Sequence, residues 1–434
     1  MRNPKSAIKG RTPNDPFQAT TIMPGRKDNN MLHQEDSAVD SRGCCPVCGS
    51  GDVWTFVEIR GVPVHSNVLL LSHSEALSVP RGDLEMKCCR DCGHVYNGAF
   101  SSEDTKYCSD YENSLFFSET YRTYASSLAA ELIERFDLHG RSVIEIGCGS
   151  GDFLKLLCEK GENDGIGFDP SALAGRSINS HRRINYVRDY YSGRYAHIAA
   201  DFLCCRHVLE HVEFPLNFIK EIREALPAGK KVGLFFEVPD VMFMLKEHSS
   251  WDFIYEHCSY FSTSSLNRLF AMSGFKVSGM WRTFHDQFIC ACIEPANTGT
   301  TENEIESDRD KKDVIYHAEL FCRIFQEQVQ VWGERLQSMT KSQVRVVLWG
   351  AGSKGVTFLN ILHGKGFIEY VVDINEQKIG KYVPGTGQRI VSPDFLKIYR
   401  PDVVILMNQA YETEVQKKVG EMNLSPKILL VNQL

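Results

Sequence analysis

The 434-residue sequence has no apolar run approaching the length that spans a bilayer, no excess of positive charge and no short internal repeat. The first absence argues against a membrane-spanning helix. The net charge of -7 argues against a broad nucleic-acid surface, because duplex binding rests mainly on Lys and Arg neutralising phosphates. The segment MRNPKSAIKGRTPNDPF has scattered basic residues with no apolar stretch behind them, so a secretory signal is not expected and a cytoplasmic protein is. A composition 43% hydrophobic and 24% charged is that of a soluble globular protein. At the usual allowance of about 100–200 residues per domain, the length implies two or three domains.

Composition along the chain marks the boundaries. Residues 1–42 are rich in Asn, Asp, Pro, Gly, Ser and Lys without a period and read as a disordered tail. A Cys-bracketed module follows over 43–105, then alternating strand and helix patterns over 106–293, which favour a parallel sheet with crossover helices. The polar stretch 294–313 reads as a linker. Beyond it, VIYHAELFCRIFQEQVQVWGERLQSM has the apolar spacing of a long helix and opens a last α/β domain over 314–434.

Fifteen cysteines in a chain without an export signal suggest metal ligation where they cluster, rather than disulfides. Cys45-Pro-Val-Cys48-Gly and Cys89-Arg-Asp-Cys92-Gly are two C-x2-C knuckles forty residues apart. Four thiolates make a closed tetrahedral zinc site of the structural kind, and the Gly after each knuckle permits the tight turn. Cys44 and Cys88 precede the knuckles and would allow the register to slip by one, but the C-x2-C spacing selects Cys45 and Cys89. Such a module can bind nucleic acid or act as a lid; the acidic balance favours the lid. Structural zinc contributes roughly 10–16 kcal/mol of apparent binding energy in finger peptides, ample for so small a unit. The remaining cysteines read as buried small hydrophobes.

The chemistry-bearing pattern is VIEIGCGSGDF. An apolar strand ends in Glu145-Ile-Gly147-Cys-Gly149-Ser-Gly151 and runs into a helix, so that the backbone can approach a ligand at the carboxyl edge of a sheet. Twenty-two residues after Gly147 a second strand ends at Asp169, where a carboxylate can accept hydrogen bonds from ribose hydroxyls. The form E-x-G-x-G-x-G resembles motif I of class I S-adenosylmethionine-dependent methyltransferases rather than a dinucleotide-binding turn. That resemblance implies a place near the adenine for Asp189 and a cofactor-covering segment at RHVLEHV, containing His207; for His211 a plain polar helix-start position is preferred. A second glycine turn, Gly350-Ala-Gly352-Ser-Lys354-Gly355, follows the strand VRVVLW. There Lys354 is placed to meet a phosphate of an acceptor and Asp373, twenty-one residues after Gly352, to meet a ribose; a degenerate domain that only packs is the alternative.

Zinc knuckles, RHVLEHV, IYEHCSYFS and the C-terminal turn with VVDINEQKIGKYVPGTGQRIVSP stand in one order, and from about residue 44 onward the chain resembles the sugar C-methyltransferase family. The resemblance implies an N-terminal zinc-binding module, a central class I methyltransferase Rossmann-like domain holding S-adenosylmethionine, and a second, C-terminal Rossmann-like α/β domain that helps hold a nucleotide-linked keto-sugar. It also implies that His257, beside Glu256, removes a proton next to a ketone. The family motif begins Tyr-His-Glu-His, and here its first two residues are Ile254 and Tyr255. The enolate needs a hydrogen-bond donor, and Tyr255 is the first candidate, with Tyr260 or a tyrosine of DYENSLFFSETYRTY as alternatives. Two other readings stay open: methylation of oxygen or nitrogen on a glycan or natural product, and a zinc-ribbon scaffold with an inactive methyltransferase domain.

Overall fold

The computed structural model describes residues 43–105, 111–171, 183–227, 230–296, 304–362 and 366–433. The expected tail over 1–42 lies outside them. Among the described residues no helix is long and apolar enough to cross a membrane.

The central domain is built on a seven-stranded sheet in the spatial order Phe275–Thr283, Phe288–Pro295, Gly233–Pro239, Phe202–Arg206, Ser142–Ile146, Asp164–Phe168, Ile184–Val187. The last five strands in that order are mutually parallel, and Phe288–Pro295 runs antiparallel to both its neighbours. Strands such as Ser142–Ile146 and Phe202–Arg206 are buried along nearly their whole length, which is why they read as continuous apolar runs rather than alternating ones. The helices Glu119–Phe136, Asp152–Gly161, Pro215–Ala225 and Thr263–Met272 supply apolar stripes that cover it. Parallel order puts every strand's carboxyl end on one edge, and Gly147 and Asp169 lie there.

The N-terminal module does not close its own sheet. Val53–Pro63, Arg81–Cys89 and Val95–Asn97 form an antiparallel meander, and the fourth strand, Ser259–Tyr260, comes from the central domain, with Val95 facing Tyr260 and Tyr96 facing Ser259. Its cysteines pack in one cluster with Phe261, Leu266 and Leu269 of the central domain. The module is thus part of the body of the protein, not the separate lid considered above.

The C-terminal domain has five parallel strands in the order Arg389–Val391, Tyr370–Val372, Val346–Trp349, Val403–Leu406, Lys427–Leu430. It is reached through a 38-residue helix, Glu304–Lys341, which begins ten residues inside the stretch expected to be a linker, just as the strand Phe288–Pro295 runs two residues into its other end. The polar composition of 304–313 thus belongs to a helix rather than to an absence of structure. Val314, Ala318, Phe321 and Phe325 of this helix pack on the N-terminal module and on Val241–Leu245, and Trp332 and Leu336 pack on the C-terminal sheet. Of the described cysteines outside the knuckles all are buried but the half-buried Cys44 and the exposed Cys322 of this helix.

The central and C-terminal domains are also joined at a helix end. The first helix of the central domain is capped by Ser118, whose hydroxyl accepts from Tyr121 N. Glu414 of the C-terminal domain accepts from Ser118 Oγ at 2.6 Å, Thr120 N at 3.1 Å and Glu119 N at 3.3 Å. A carboxylate there satisfies free N–H groups and the positive end of the helix dipole. Burial opposes the charge, but these hydrogen bonds outweigh it and lower the Glu414 carboxyl. A depressed carboxyl stabilises above its unfolded value and the contribution is lost as pH falls through the folded one. Glu414→Gln should therefore lower stability by about 1 kcal/mol at pH 7, and thermal unfolding at pH 7 and pH 3 should show the difference from wild type disappear at the lower pH.

Candidate active site

Cys45, Cys48, Cys89 and Cys92 converge so that one sulfur from each lies within 4.8 Å of the others, with Cys45–Cys92 and Cys48–Cys89 each at 3.6 Å. Four sulfurs about 2.3 Å from a tetrahedral ion stand about 3.8 Å apart, so the donor set fits zinc. Gly49 (φ 74°) and Gly93 (φ 69°) turn the knuckles, their N–H groups bonding Cys45 O and Cys89 O at 2.9 Å. Cys88 points into the module's own core, with its sulfur 3.9 Å from Cys89 O, and Cys44 is outside the cluster. The register expected from the C-x2-C spacing is the one observed.

On the central sheet, Gly147, Gly149 and Gly151 all have positive φ (67°, 52° and 89°). A Cβ at Gly147 would lie 2.1 Å from Val208 Cγ2, whereas one at Gly149 would meet nothing within 4 Å, so the loop faces open space there. Asp169 braces the loop: Oδ2 accepts from Gly149 N at 2.9 Å and Oδ1 from Ser171 N at 2.8 Å. Each oxygen keeps a second lone pair for a ligand hydroxyl. Glu145 is buried with Oε2 unpartnered, and burial, only partly offset by Arg206, raises its carboxyl to about 8. An open cradle with a buried unsatisfied acid beneath it fits a cationic nucleoside such as S-adenosylmethionine. Asp189 stands two residues beyond the strand Ile184–Val187 and is held by Tyr195 Oη at 2.6 Å and Arg194 at 2.8 Å, the tyrosine being the main cause of its lowered carboxyl.

A cavity of about 330 Å³ opens between the central and C-terminal domains. His257, His207, Glu210, His211, Ile254 and Tyr111 line one side and Gly350, Gly352, Lys354, Asp373 and Lys378 the other. The residues around His257 are sorted by a turn in which His257 N–H bonds Ile254 O at 3.2 Å. The turn leaves Ile254 and His257 facing the cavity and swings Tyr255 and Glu256 away from it. Tyr255 is 1% exposed, packs on Phe100, accepts from Ser101 N at 3.2 Å and donates to Asp104 Oδ2 at 3.0 Å. It lies outside the cavity lining, so Tyr255 is corrected from enolate donor to part of the module's core. Tyr260 is used up as well: its hydroxyl accepts from Ile254 N at 2.9 Å and donates to Ile254 O at 3.0 Å. Glu256 accepts from Ser66 N at 2.9 Å and lies 3.5 Å from His65 Nδ1. Burial opposes its charge, but these bonds and one from Tyr111 lower its carboxyl, so it anchors the segment rather than touching the cavity. Tyr111, from the segment with the alternative tyrosines, does reach the cavity.

The histidines on the cavity wall are driven in opposite directions. His257 Nδ1 is buried without a partner, and burial together with His211 lowers the imidazole to about 3, so it is neutral. His207 lies 3.0 Å from Glu237 Oε1 and 3.6 Å from Glu210 Oε1. Burial works against its charge, but Glu237 and then Glu210 outweigh it and raise it to about 10, so it is cationic. Glu237 is fully buried among Arg206 at 2.7 Å, Tyr124 Oη at 2.9 Å and His207; burial alone would raise its carboxyl, and Arg206 and His207 hold it at about 2. His207 has φ 53°, a conformation that costs an L side chain of order 1–3 kcal/mol and is found at functional sites. With Val208 against Gly147, this strained step stands between the glycine loop and the cavity.

Across the cavity the second glycine turn repeats the first. Asp373 Oδ2 accepts from Ala351 N at 2.7 Å and Oδ1 from Asn375 N at 2.8 Å, the pattern of Asp169. Gly350 has φ 112°. Lys354 is not the free cation expected: its ammonium lies 2.8 and 2.9 Å from the two carboxylate oxygens of Asp252 in the central domain. Lys378, which has no counterpart among the expected site residues, is a buried lysine whose ammonium donates to Asn67 Oδ1 at 2.9 Å and Ala351 O at 3.0 Å while lining the cavity. Burial lowers it. No spacing in DINEQKIG marks it out.

Residues 121–278 match the methyltransferase domain family and residues 301–426 the C-methyltransferase C-terminal domain family. With the sheet and glycine loop described above, these matches make the chain a class I S-adenosylmethionine-dependent methyltransferase. The C-methyltransferase NovU of Streptomyces niveus is 26% identical over 397 residues, 86% of this chain and 90% of that protein. The chain is thus similar to a C-methyltransferase along most of its length, and its C-terminal part matches a domain described for C-methyltransferases. A ubiquinone biosynthesis O-methyltransferase of Citrobacter koseri is 26% identical over 22% of this chain and 42% of that protein. Among solved structures, magnesium protoporphyrin IX methyltransferase from Synechocystis PCC 6803 with bound SAH is 16% identical at a TM-score of 0.32, over 43% of this chain and 90% of that one.

The brace on the glycine loop yields a test of donor binding. Asp169→Ala frees Gly149 N–H and removes a carboxylate with lone pairs to spare for a ligand hydroxyl, and should weaken S-adenosylhomocysteine binding at least tenfold by calorimetry; an unchanged affinity would remove Asp169 from the donor site.

Proposed function

We propose that the protein methylates a carbon next to a ketone on a small acceptor, most simply a nucleotide-linked keto-sugar, with His257 as the base. The observation that carries this reading is the unpartnered, neutral His257 Nδ1 on the cavity wall, with the cationic His207 coupled to it through Glu210. Two groups of one kind pushed apart in proton affinity divide the roles of base and acid. His257 accepts the proton from the α-carbon; the C–H pair becomes the C=C of an enolate, and the negative charge goes to the ketone oxygen. His207, on the cavity wall, donates a hydrogen bond to that oxygen. S-adenosylmethionine, when bound, supplies an electrophilic methyl on a sulfonium. Glu145, Gly147, Gly149, Gly151 and Asp169 hold it at the carboxyl edge of the sheet, with Asp189 and His207 at the sides.

The opposite wall, with Gly350, Gly352, Asp373 and Lys378, suits the nucleotide portion of the acceptor, and Phe284, Phe288 and Trp349 give the cavity flat apolar faces. Ile254 stands where the family motif has a tyrosine, so one polar contact to the acceptor is replaced by an apolar one, and a less hydroxylated sugar is favoured at that point. The four cysteines hold zinc, which ties the two knuckles of the module together.

Keto-sugar nucleotides incubated with the enzyme in D2O without donor should exchange their α-hydrogen, and His257→Gln should abolish both exchange and methyl transfer while retaining S-adenosylhomocysteine binding. A methyl group found on oxygen by product NMR, or full turnover in the variant, would overturn the assignment. Elemental analysis should find that Cys48→Ser lowers the zinc content of the purified protein by about one equivalent per chain.

A further inference from the structure

The geometry points to a second metal site: we propose that Glu210, His211 and His257 bind a divalent transition-metal ion on the cavity wall. One ligand atom from each lies within 4.8 Å of the other two, and among the described residues only this trio and the four cysteines come together in this way. Tetrahedral ligands about 2.0–2.1 Å from zinc stand about 3.4 Å apart, a distance that side-chain rotation reaches from this arrangement.

The state of each donor suits an ion. Glu210 is 1% exposed, yet its Oε2 has no hydrogen-bond partner. His257 Nδ1 is likewise buried and unpartnered. His211 Nδ1 lies 2.9 Å from the carbonyl oxygen of Glu256. A carbonyl only accepts, so this nitrogen carries the proton and the lone pair is on Nε2; a backbone carbonyl orients metal-bound histidines in this manner. All three residues line the cavity, so the remaining coordination position opens onto the acceptor space. Two imidazoles and a carboxylate select Zn2+, Co2+ or Ni2+ over Mg2+ or Ca2+, which prefer all-oxygen shells.

The ion and the substrate proton compete for the imidazole of His257. A loaded site has no base, so the ion inhibits. That consequence rests on the reading of His257 as proton acceptor, whereas binding of the ion does not.

Full-length protein with its four-cysteine site loaded is titrated with ZnCl2 by calorimetry, alongside a methyl-transfer assay. The expected result is one further equivalent, bound at least tenfold more weakly by Glu210→Gln and by His211→Ala, with turnover falling as the site fills. His211 is exposed, so its replacement spares the core. Absence of a further equivalent in the wild type, or an unchanged affinity in both variants, overturns the site. A further equivalent bound with full turnover upholds the site and overturns His257 as the base.

Discussion

The backbone pairing of Ser259–Tyr260 with Val95–Tyr96 is the constraint on which the rest of the site depends. It completes the sheet of the N-terminal module with a piece of the central domain. Asn97 N continues the same ladder to Cys258 O at 3.0 Å, and on the other side of the piece Cys258 N bonds Glu210 O at 2.9 Å. Each such bond is worth only about 1 kcal/mol. Their arrangement in series, with Tyr260 stapling both backbone groups of Ile254, leaves the segment one conformation. His257 is held by two domains at once, and the cysteine module earns its place in the chain by supplying one of them.

How much of this was legible in the sequence varied with how far chemistry dictates spacing. Two thiolates on one ion require C-x2-C, so Cys45, Cys48, Cys89 and Cys92 could be named from their intervals. A strand that runs into glycines at positive φ is also a local property, and Gly147 to Gly151 were visible for that reason. Asp169 and Asp373 were visible as positions, but the roles given to them were incomplete. Both brace a glycine turn through two backbone N–H groups, and this structural duty imposes the same interval as a ribose contact. The direction of a side chain after a turn is not local. Tyr255 and His257 differ by two positions and face opposite sides, because a bond from His257 N to Ile254 O closes the turn. Lys354 and Lys378 exchanged importance for a similar reason: their partners, Asp252 and Asn67, belong to other domains.

The electrostatics of the cavity follow from depth and from where the carboxylates stand. His207 and His257 share one wall, and the acids nearest to His207, Glu237 and Glu210, are themselves desolvated, so their pull is undiluted by water. Arg206 balances Glu237 while lying over the ring of Phe153, on the helix that starts at the glycine loop. Charge at the donor loop and charge at the acceptor wall thus share the Arg206–Glu237 pair, which a substitution on either side would disturb.

The helix Glu304–Lys341 adds a mechanical consequence. At 1.5 Å per residue its 38 residues make a rod about 57 Å long, held around its middle by the module and toward its C-terminal end by the C-terminal sheet. A rod held at two places transmits rotation rather than absorbing it, so a shift of the C-terminal domain that widened the cavity would also lever on the module, and through it on the strand beside His257. Opening of the cavity and displacement of His257 would then be one movement.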